Sequence, residues 1–212
     1  MMTSIKVFWF GISGVLLFIL STVLGGFQFS SYSHISQLIS ESYAIDTPYG
    51  IYLRFFGFIP SGLFIALFSF YALKFIPKST LSKIGFYGIG IFYGFSTVLV
   101  SLFPCDEGCN KELIDPSSAQ LIHNLSGLLT YMIVPICLIL IGFASKKWTD
   151  GKLVSTSGFI CGILSILFVV ILSADLKSEF AGLYQRIIEG SVLFWIAACS
   201  FYFRKLIVID SK

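Results

Sequence analysis

The chain has 212 residues, of which 56% are hydrophobic and only 12% are charged. Soluble domains carry about 25% charged residues, so this composition excludes an ordinary soluble domain and indicates a polytopic membrane protein. The net charge of +3 is small, and the basic residues are scattered through short loops, which gives no support to nucleic-acid binding.

Six apolar segments are long enough to cross a bilayer, because a membrane helix needs roughly 20 apolar residues. The runs are near-continuous rather than alternating, which favours helices over barrel strands. The first run is longer than the ~7–15 residues of a signal-peptide core, so we expect a retained helix. The predicted fold class is therefore all-α, with one transmembrane domain over residues 1–212. The predicted spans are residues 7–28, 51–75, 84–103, 120–143, 153–174 and 182–203.

The distribution of positive charge predicts which side of the membrane each loop occupies. Cytoplasmic loops collect Lys and Arg, and ten of the fourteen cations fall on one side of the predicted helices. We therefore place both termini and the second and fourth loops in the cytoplasm of a multi-pass cell-membrane protein. The ten cations are Lys6, Lys74, Lys78, Lys83, Lys146, Lys147, Lys152, Arg204, Lys205 and Lys212.

Small residues recur at three- and four-residue spacing in three of the spans. Such stripes let helix backbones approach closely in lipid, so we expect them to be packing surfaces, and a substrate path along these faces is the alternative. The stripes consist of Gly11, Gly14, Ser21, Gly25 and Gln28 in the first span, Gly85 with Gly88 and, on another face, Gly90 with Gly94 in the third, and Ser155, Gly158, Gly162 and Ser165 in the fifth.

The fourth span opens with a polar stripe in the outer half of the predicted bundle. Its members are Gln120, His123, Gly127 and Thr130. Polar side chains that face lipid are costly, so this stripe should face the bundle interior or a wet cavity. The simpler alternative is that these residues only hold helix ends together.

Two charged residues interrupt the apolar run of the sixth span. Arg186 and Glu189 lie one helical turn apart and can pair. Because charges within a span have to be partnered or hydrated, we expect both to face inward. The residues predicted to line one polar cavity at the outer end are Ser36, Asp106, Gln120, His123, Asp175, Arg186 and Glu189.

Cys105 and Cys109 lie four residues apart in the third loop, on the side predicted to be oxidising. Gly108 between them permits a tight turn. A structural disulfide is the favoured interpretation, and a metal or redox role is the alternative, although a C-x-x-C redox pair would have two intervening residues. The other three cysteines lie within spans and are expected to act as small hydrophobic residues.

The usual catalytic and cofactor signatures are missing from the sequence. It has no G-x-S-x-G, H-E-x-x-H or phosphate-binding glycine loop. His34 and His123 are the only histidines, too few for paired haem ligands on both membrane faces. A three-ligand zinc site would need both histidines with a carboxylate such as Asp106. We therefore predict neither a metal nor a cofactor.

Four segments carry a resemblance to a known family. They read S-H-I-S-Q-L at 33–38, L-F-P-C-D-E-G-C at 102–109, Q-L-I-H-N at 120–124 and G-L-Y-Q-R at 182–186, with Trp195 further along. In this order they resemble the DUF998 family of small polytopic membrane proteins. The resemblance spans most of the chain, implies a helical membrane fold and points to the same outer cluster. The family is named for its unknown function, so no reaction is implied.

Three functions fit these observations. The first is the binding or transport of a lipid headgroup or small solute in the outer cavity. The second is a membrane-embedded hydrolase or lipid-modifying enzyme, in which His123 is a general base oriented by Asp106 or Asp175. The third is an accessory subunit that stabilises another membrane protein. Membrane lipids, and a small-molecule or lipid ligand, are the expected partners.

The predicted orientation can be checked with single cysteines and a membrane-impermeant maleimide, in a chain whose native cysteines are replaced by serine. Lys78→Cys and Lys147→Cys should react only from the cytoplasm, whereas Asp46→Cys and Asp115→Cys should react only from outside, because cations resist translocation. Labelling of Lys78→Cys and Asp46→Cys from the same side would contradict the orientation.

Overall fold

The computed structural model describes residues 3–210, with side chains described for residues 3–206. Within that part there are helices and loops but no strands, and six helices are long and apolar enough to span a membrane. The all-α fold and the six predicted spans are confirmed, with most helix ends within a few residues of the prediction. Lys212, one of the ten cations, lies outside the described residues. The helices are α1 (Ser4–Gly26), α2 (Gly50–Ala72), α3 (Thr80–Leu102), α4 (Ser118–Ser145), α5 (Lys152–Ala174) and α6 (Ala181–Asp210).

The six helices pack as a closed ring in chain order. Each helix contacts its neighbours in sequence, and α6 closes the ring against α1. The short connections of residues 73–79, 146–151 and 175–180 favour this arrangement, because they keep consecutive helices adjacent and antiparallel. We call the end of the ring opposite the two termini the distal end. It carries the loops of residues 27–49, 103–117 and 175–180.

Aromatic side chains fill the half of the ring nearest the termini. Phe86 packs against Trp195 with ring centroids 6.0 Å apart, and Phe68 packs against Phe203 at the same separation. All four side chains are fully buried. The indole N–H of Trp195 donates a hydrogen bond of 3.2 Å to the Val154 carbonyl. This half is therefore a packed core that closes the ring interior.

Glycines of the predicted stripes lie where helix backbones touch. A Cβ atom placed on Gly94 would lie 2.7 Å from the backbone nitrogen of Ala66, and one on Gly158 would lie 2.8 Å from the Leu138 carbonyl oxygen. Neighbouring backbone cannot move aside as the end of a flexible side chain can. These positions therefore support the interpretation of the stripes as packing surfaces.

Some serine hydroxyls at the helix contacts donate to backbone carbonyls of the neighbouring helix. Ser61 donates to the Gly14 carbonyl across the α1–α2 contact at 2.7 Å, and Ser155 donates to the Gly142 carbonyl across the α4–α5 contact at 2.8 Å. In lipid, where no water competes, such bonds hold helices together. These serines are structural.

The close contact at Gly94 predicts a stability difference between two glycine variants. Gly94→Ala should destabilise the protein by about 1–3 kcal/mol, because the added methyl group overpacks against α2. Gly190→Ala is the matched control, since no atom lies within 4 Å of a Cβ there, and it should stabilise α6 by up to ~1 kcal/mol. Denaturant unfolding in detergent measures both, and equal stability of the two variants would refute the packing argument.

Candidate functional site

The distal loop of residues 27–49 folds over the end of the ring instead of projecting from it. It contains a 3₁₀ helix, Ile39–Tyr43, whose side chains are mostly buried. Gln28 ties the loop to α1, because its amide donates to the Ser42 carbonyl at 2.8 Å and accepts from the Tyr49 N–H at 2.8 Å. The 3₁₀ helix of this loop is therefore part of the bundle interior.

Glu189 lies about two turns into α6, and its side chain is only 8% exposed. The Tyr93 hydroxyl donates to Glu189 Oε2 at 2.6 Å, and the Tyr131 hydroxyl donates to Oε1 at 2.9 Å. Tyr131 in turn accepts from the Gln185 amide at 2.9 Å. The carboxylate is thus solvated by hydroxyls of α3 and α4.

No cation forms an ion pair with Glu189 within residues 3–206. The ion pairs between described side chains join Lys111 to Glu41 and Lys177 to Glu112, both in the distal loops. A buried carboxylate held only by neutral donors is unusual, because an uncompensated charge is costly to bury.

Tyr93 reaches Glu189 from an irregular stretch of α3. Residues Gly90–Phe95 form a π-helical turn, and a second such turn, Arg54–Phe58, lies in α2. A π turn inserts one extra residue into a helix and is frequent at functional sites. The insertion changes which way Tyr93 faces relative to the rest of α3.

Arg186 binds the distal loop instead of Glu189, so the predicted pairing of these two residues is wrong. Its Nη1 donates to the carbonyls of Gln37 at 2.7 Å and Gly182 at 2.9 Å. Its Nη2 donates to the Tyr32 hydroxyl at 2.8 Å. The folded loop brings these acceptors within reach, while Arg186 Nε is buried without a partner among the described residues. Burial raises the pKa of the Tyr32 phenol, although Arg186 opposes this shift.

His123 is buried on α4 beside the third loop, which comprises residues 103–117. Its Nδ1 lies 3.2 Å from the carbonyl oxygens of both Val100 and Phe103. Because carbonyls only accept hydrogen bonds, Nδ1 carries the proton, and Nε2 keeps its lone pair in the neutral ring. Among the described residues, His123 is therefore oriented by backbone carbonyls and is hydrogen-bonded to neither Asp106 nor Asp175.

Gln120 joins the start of α4 to the third loop. Its fully buried amide accepts from the Asp106 N–H at 2.7 Å and donates to the Cys109 carbonyl at 3.3 Å and to Asn124 Oδ1 at 2.9 Å. The Asp106 carboxylate accepts from the hydroxyl and N–H of Ser117. These two hydrogen bonds lower the pKa of Asp106.

Cys105 and Cys109 lie at disulfide distance, with Cα atoms 4.8 Å apart. The turn between them includes Gly108, whose φ of 58° favours glycine. Both cysteines are buried, and their sulfur atoms and a ring nitrogen of His123 all lie within 4.8 Å of one another. Three side chains that can ligate a metal, the cysteines only when reduced, therefore lie close together.

The contacts divide the predicted site residues into two groups. Arg186 and Glu189 belong to an α6 group, and Asp106, Gln120 and His123 belong, with the two cysteines, to a loop–α4 group. Asp175 belongs to neither group. It is exposed, and its carboxylate accepts a hydrogen bond from the Lys177 N–H within its own loop. Ser36 lies in the distal loop of residues 27–49, half-buried, with its N–H bonded to Ser33. On the buried face of α4, Ser126 stands in place of the predicted Gly127, which is only partly covered.

The 3₁₀ helix Ile39–Tyr43 connects the two groups. The Ile39 N–H donates to Gln185 Oε1 at 2.6 Å on the α6 side. On the other side, the rings of Tyr43 and His123 lie 6.2 Å apart, and Cys105 Sγ lies 3.7 Å from the Ser40 carbonyl oxygen.

Two shallow depressions, of 530 and 390 Å³, lie on the third loop. His123, Arg186 and Glu189 line neither of them, so a single cavity shared by all the predicted residues stays a prediction. The larger depression holds three carboxylates and no cation. It is lined by Asp106, Glu107, Asn110, Ile114, Asp115, Pro116 and Ser117.

Sequence reasoning missed Tyr93, Tyr131 and Gln185, which complete the α6 group. The available signal was the depth of the two tyrosines within apolar spans. A buried tyrosine usually has a hydrogen-bond partner for its hydroxyl, so Tyr93 and Tyr131 each predicted a polar side chain nearby.

A family model described as "Protein of unknown function (DUF998)" matches residues 12–202. The chain belongs to the DUF998 family. The match includes every residue of both groups and confirms the resemblance seen in the sequence. No curated protein and no solved structure matches this DUF998 chain, and the family description assigns no reaction to its site.

In this DUF998 chain, Cys105 and Cys109 should be bonded when the protein is made in its native membrane, because the side on which we place the loop is oxidising. Alkylation of the denatured protein, followed by mass spectrometry, should modify both cysteines only after reduction. The three free cysteines are internal controls that react in either case. The stability gained should be below the ~3 kcal/mol of a 15-residue loop, since the closed loop is shorter. Modification of both cysteines without reductant would contradict the bond.

Proposed function

We propose that the protein binds or transports a small solute or lipid headgroup that carries a cationic group, with Glu189 as the residue that recognises it. The supporting observation is the Glu189 carboxylate, buried within a membrane-spanning helix and held only by neutral donors. A charge at the centre of a membrane helix costs at least ~2.5–3.5 kcal/mol, and such residues usually mark substrate or ion sites.

The carboxylate has unused hydrogen-bonding capacity. It offers about four lone-pair positions, of which the hydroxyls of Tyr93 and Tyr131 occupy two. An ammonium group brings up to three donors and the missing positive charge. The aromatic faces of the two tyrosines, and of Phe18, which stacks on Tyr93 at 6.1 Å, would also favour a cation.

Arg186 suggests that the ligand has an anionic group as well. Its Nε is buried and has no partner among the described residues, so it can donate to a phosphate or carboxylate oxygen. Arg186 and Glu189 lie one helical turn apart on the same helix. A zwitterion fits this spacing, either a phosphoethanolamine headgroup in the membrane or a free solute with the same two charges.

The test is binding to purified protein in nanodiscs of an anionic phosphatidylglycerol. One arm adds phosphatidylethanolamine to the bilayer, and the other adds free phosphoethanolamine to the buffer, which separates a lipid ligand from a soluble one. Glu189→Gln should weaken binding at least tenfold. A hydrogen bond to a charged group contributes about 1.5–3 kcal/mol, and 1.4 kcal/mol corresponds to a factor of ten.

Glu112→Gln is the matched control, because Glu112 is an exposed carboxylate of the third loop and should leave binding unchanged. Glutamine at position 189 has nearly the same shape and can still accept a tyrosine hydrogen bond, so the variant should fold. Absence of binding in both arms, or equal binding by wild type and Glu189→Gln, would refute the proposal.

A further inference from the structure

We propose that Cys105, Cys109 and His123 form a zinc site when the two cysteines are reduced. The proposal goes beyond the function proposed above and is independent of it, since it concerns the loop–α4 group and not Glu189. It also departs from the sequence prediction of no metal, in which a metal role for the two cysteines was only the alternative to a disulfide and His123 was considered as a ligand only together with His34 and a carboxylate.

The geometry suits a zinc ion. Cys105, Cys109 and His123 are all buried, and their ligand atoms lie within 4.8 Å of one another. Zinc binds thiolate sulfur at about 2.3 Å and imidazole nitrogen at about 2.0–2.1 Å, so the ligands of a tetrahedral site lie roughly 3.5–4 Å apart. Once the sulfurs are no longer bonded to each other, small side-chain rotations reach this spacing.

The surroundings of His123 match those of a metal-binding histidine. Such a residue usually donates its other ring N–H to a carboxylate or backbone carbonyl, which fixes the ring and its tautomer. Here the carbonyls of Val100 and Phe103 lie 3.2 Å from Nδ1. The ring is therefore held with Nε2 free to coordinate.

The charges of the three ligands also balance. Two thiolates neutralise Zn²⁺, and a neutral imidazole adds no charge, so the complex carries no net charge. A neutral complex is far cheaper to bury than an uncompensated ion. The Ser40 carbonyl, 3.7 Å from Cys105 Sγ, is a further oxygen donor beside the site, and water could serve as the fourth ligand instead.

The acidic depression on the third loop would attract a cation to the part of the chain that carries both cysteines. Two of its carboxylates, Asp106 and Glu107, lie between the two cysteines in sequence, and Asp115 adds a third. A cleft lined by one sign of charge raises the local concentration of the opposite ion. Zinc would therefore be concentrated at the surface of the loop that carries Cys105 and Cys109.

The reduced state follows from thiol–disulfide exchange. A dithiol donor gives two electrons and two protons to the Cys105–Cys109 bond, which breaks into two thiols while the donor becomes a disulfide. Zinc then displaces both thiol protons and forms two Zn–S bonds and one Zn–N bond. The oxidised pair has no thiolate to offer, so redox state decides whether the site binds metal.

Cobalt can report on this site, because Co²⁺ occupies zinc sites and thiolate ligands give it a near-ultraviolet charge-transfer band. The full chain in detergent, reduced with a phosphine and freed of metal, should show this band with one equivalent of Co²⁺, and Zn²⁺ should remove it. Unreduced protein should show no band. His123→Gln should weaken zinc binding at least ~tenfold, whereas His34→Gln, at the other histidine, should not change it.

A second measurement needs no variant at all. In the reduced wild-type chain, zinc should protect Cys105 and Cys109 from alkylation and leave the reactivity of Cys137, Cys161 and Cys199 unchanged. Absence of the cobalt band in reduced wild type would overturn the proposal. An unchanged zinc affinity in His123→Gln, or alkylation of Cys105 and Cys109 at the same rate with zinc present, would overturn it as well.

Discussion

A carboxylate inside a membrane-spanning helix has to be solvated by the protein itself, and Glu189 places this requirement on the distal half of the ring. Tyr93 and Tyr131 meet it from α3 and α4, which restricts how α6 can be rotated against both helices. Gln185 supports Tyr131 from the same face of α6 and accepts from the Ile39 N–H. A chain of hydrogen bonds therefore runs from the ring interior to the loop of residues 27–49.

The same requirement explains why this loop is folded into the ring. Arg186 also lies in α6, and its guanidinium needs acceptors, which the loop supplies as the Gln37 carbonyl and the Tyr32 hydroxyl. Loop backbone is costly to bury unless its N–H and C=O groups are bonded. Gln28 and Gln185 supply such bonds. Loop and helices thus satisfy each other's polar groups.

The membrane fold could be predicted because the length of an apolar run is read directly from the sequence and needs no knowledge of tertiary contacts. Glu189, Arg186 and His123 stood out because ionisable residues in or beside apolar runs are costly wherever they point. Tyr93 was missed because its direction depends on a π turn that no simple sequence pattern marks. The Arg186–Glu189 pairing failed because helical spacing shows that two side chains can meet, but not that a distant loop offers other acceptors.

The two polar groups share one short piece of backbone, the 3₁₀ helix Ile39–Tyr43. Ile39 is bound to the α6 group through Gln185, and Tyr43 packs near His123 on the other side. Ser40, between them, faces Cys105. A displacement of the third loop, such as separation of the two sulfurs, would therefore act on the same turn that supports Tyr131 and Glu189. A contiguous set of packed and hydrogen-bonded residues is one physical route for coupling between two sites, and here a loop, not a membrane helix, forms that route.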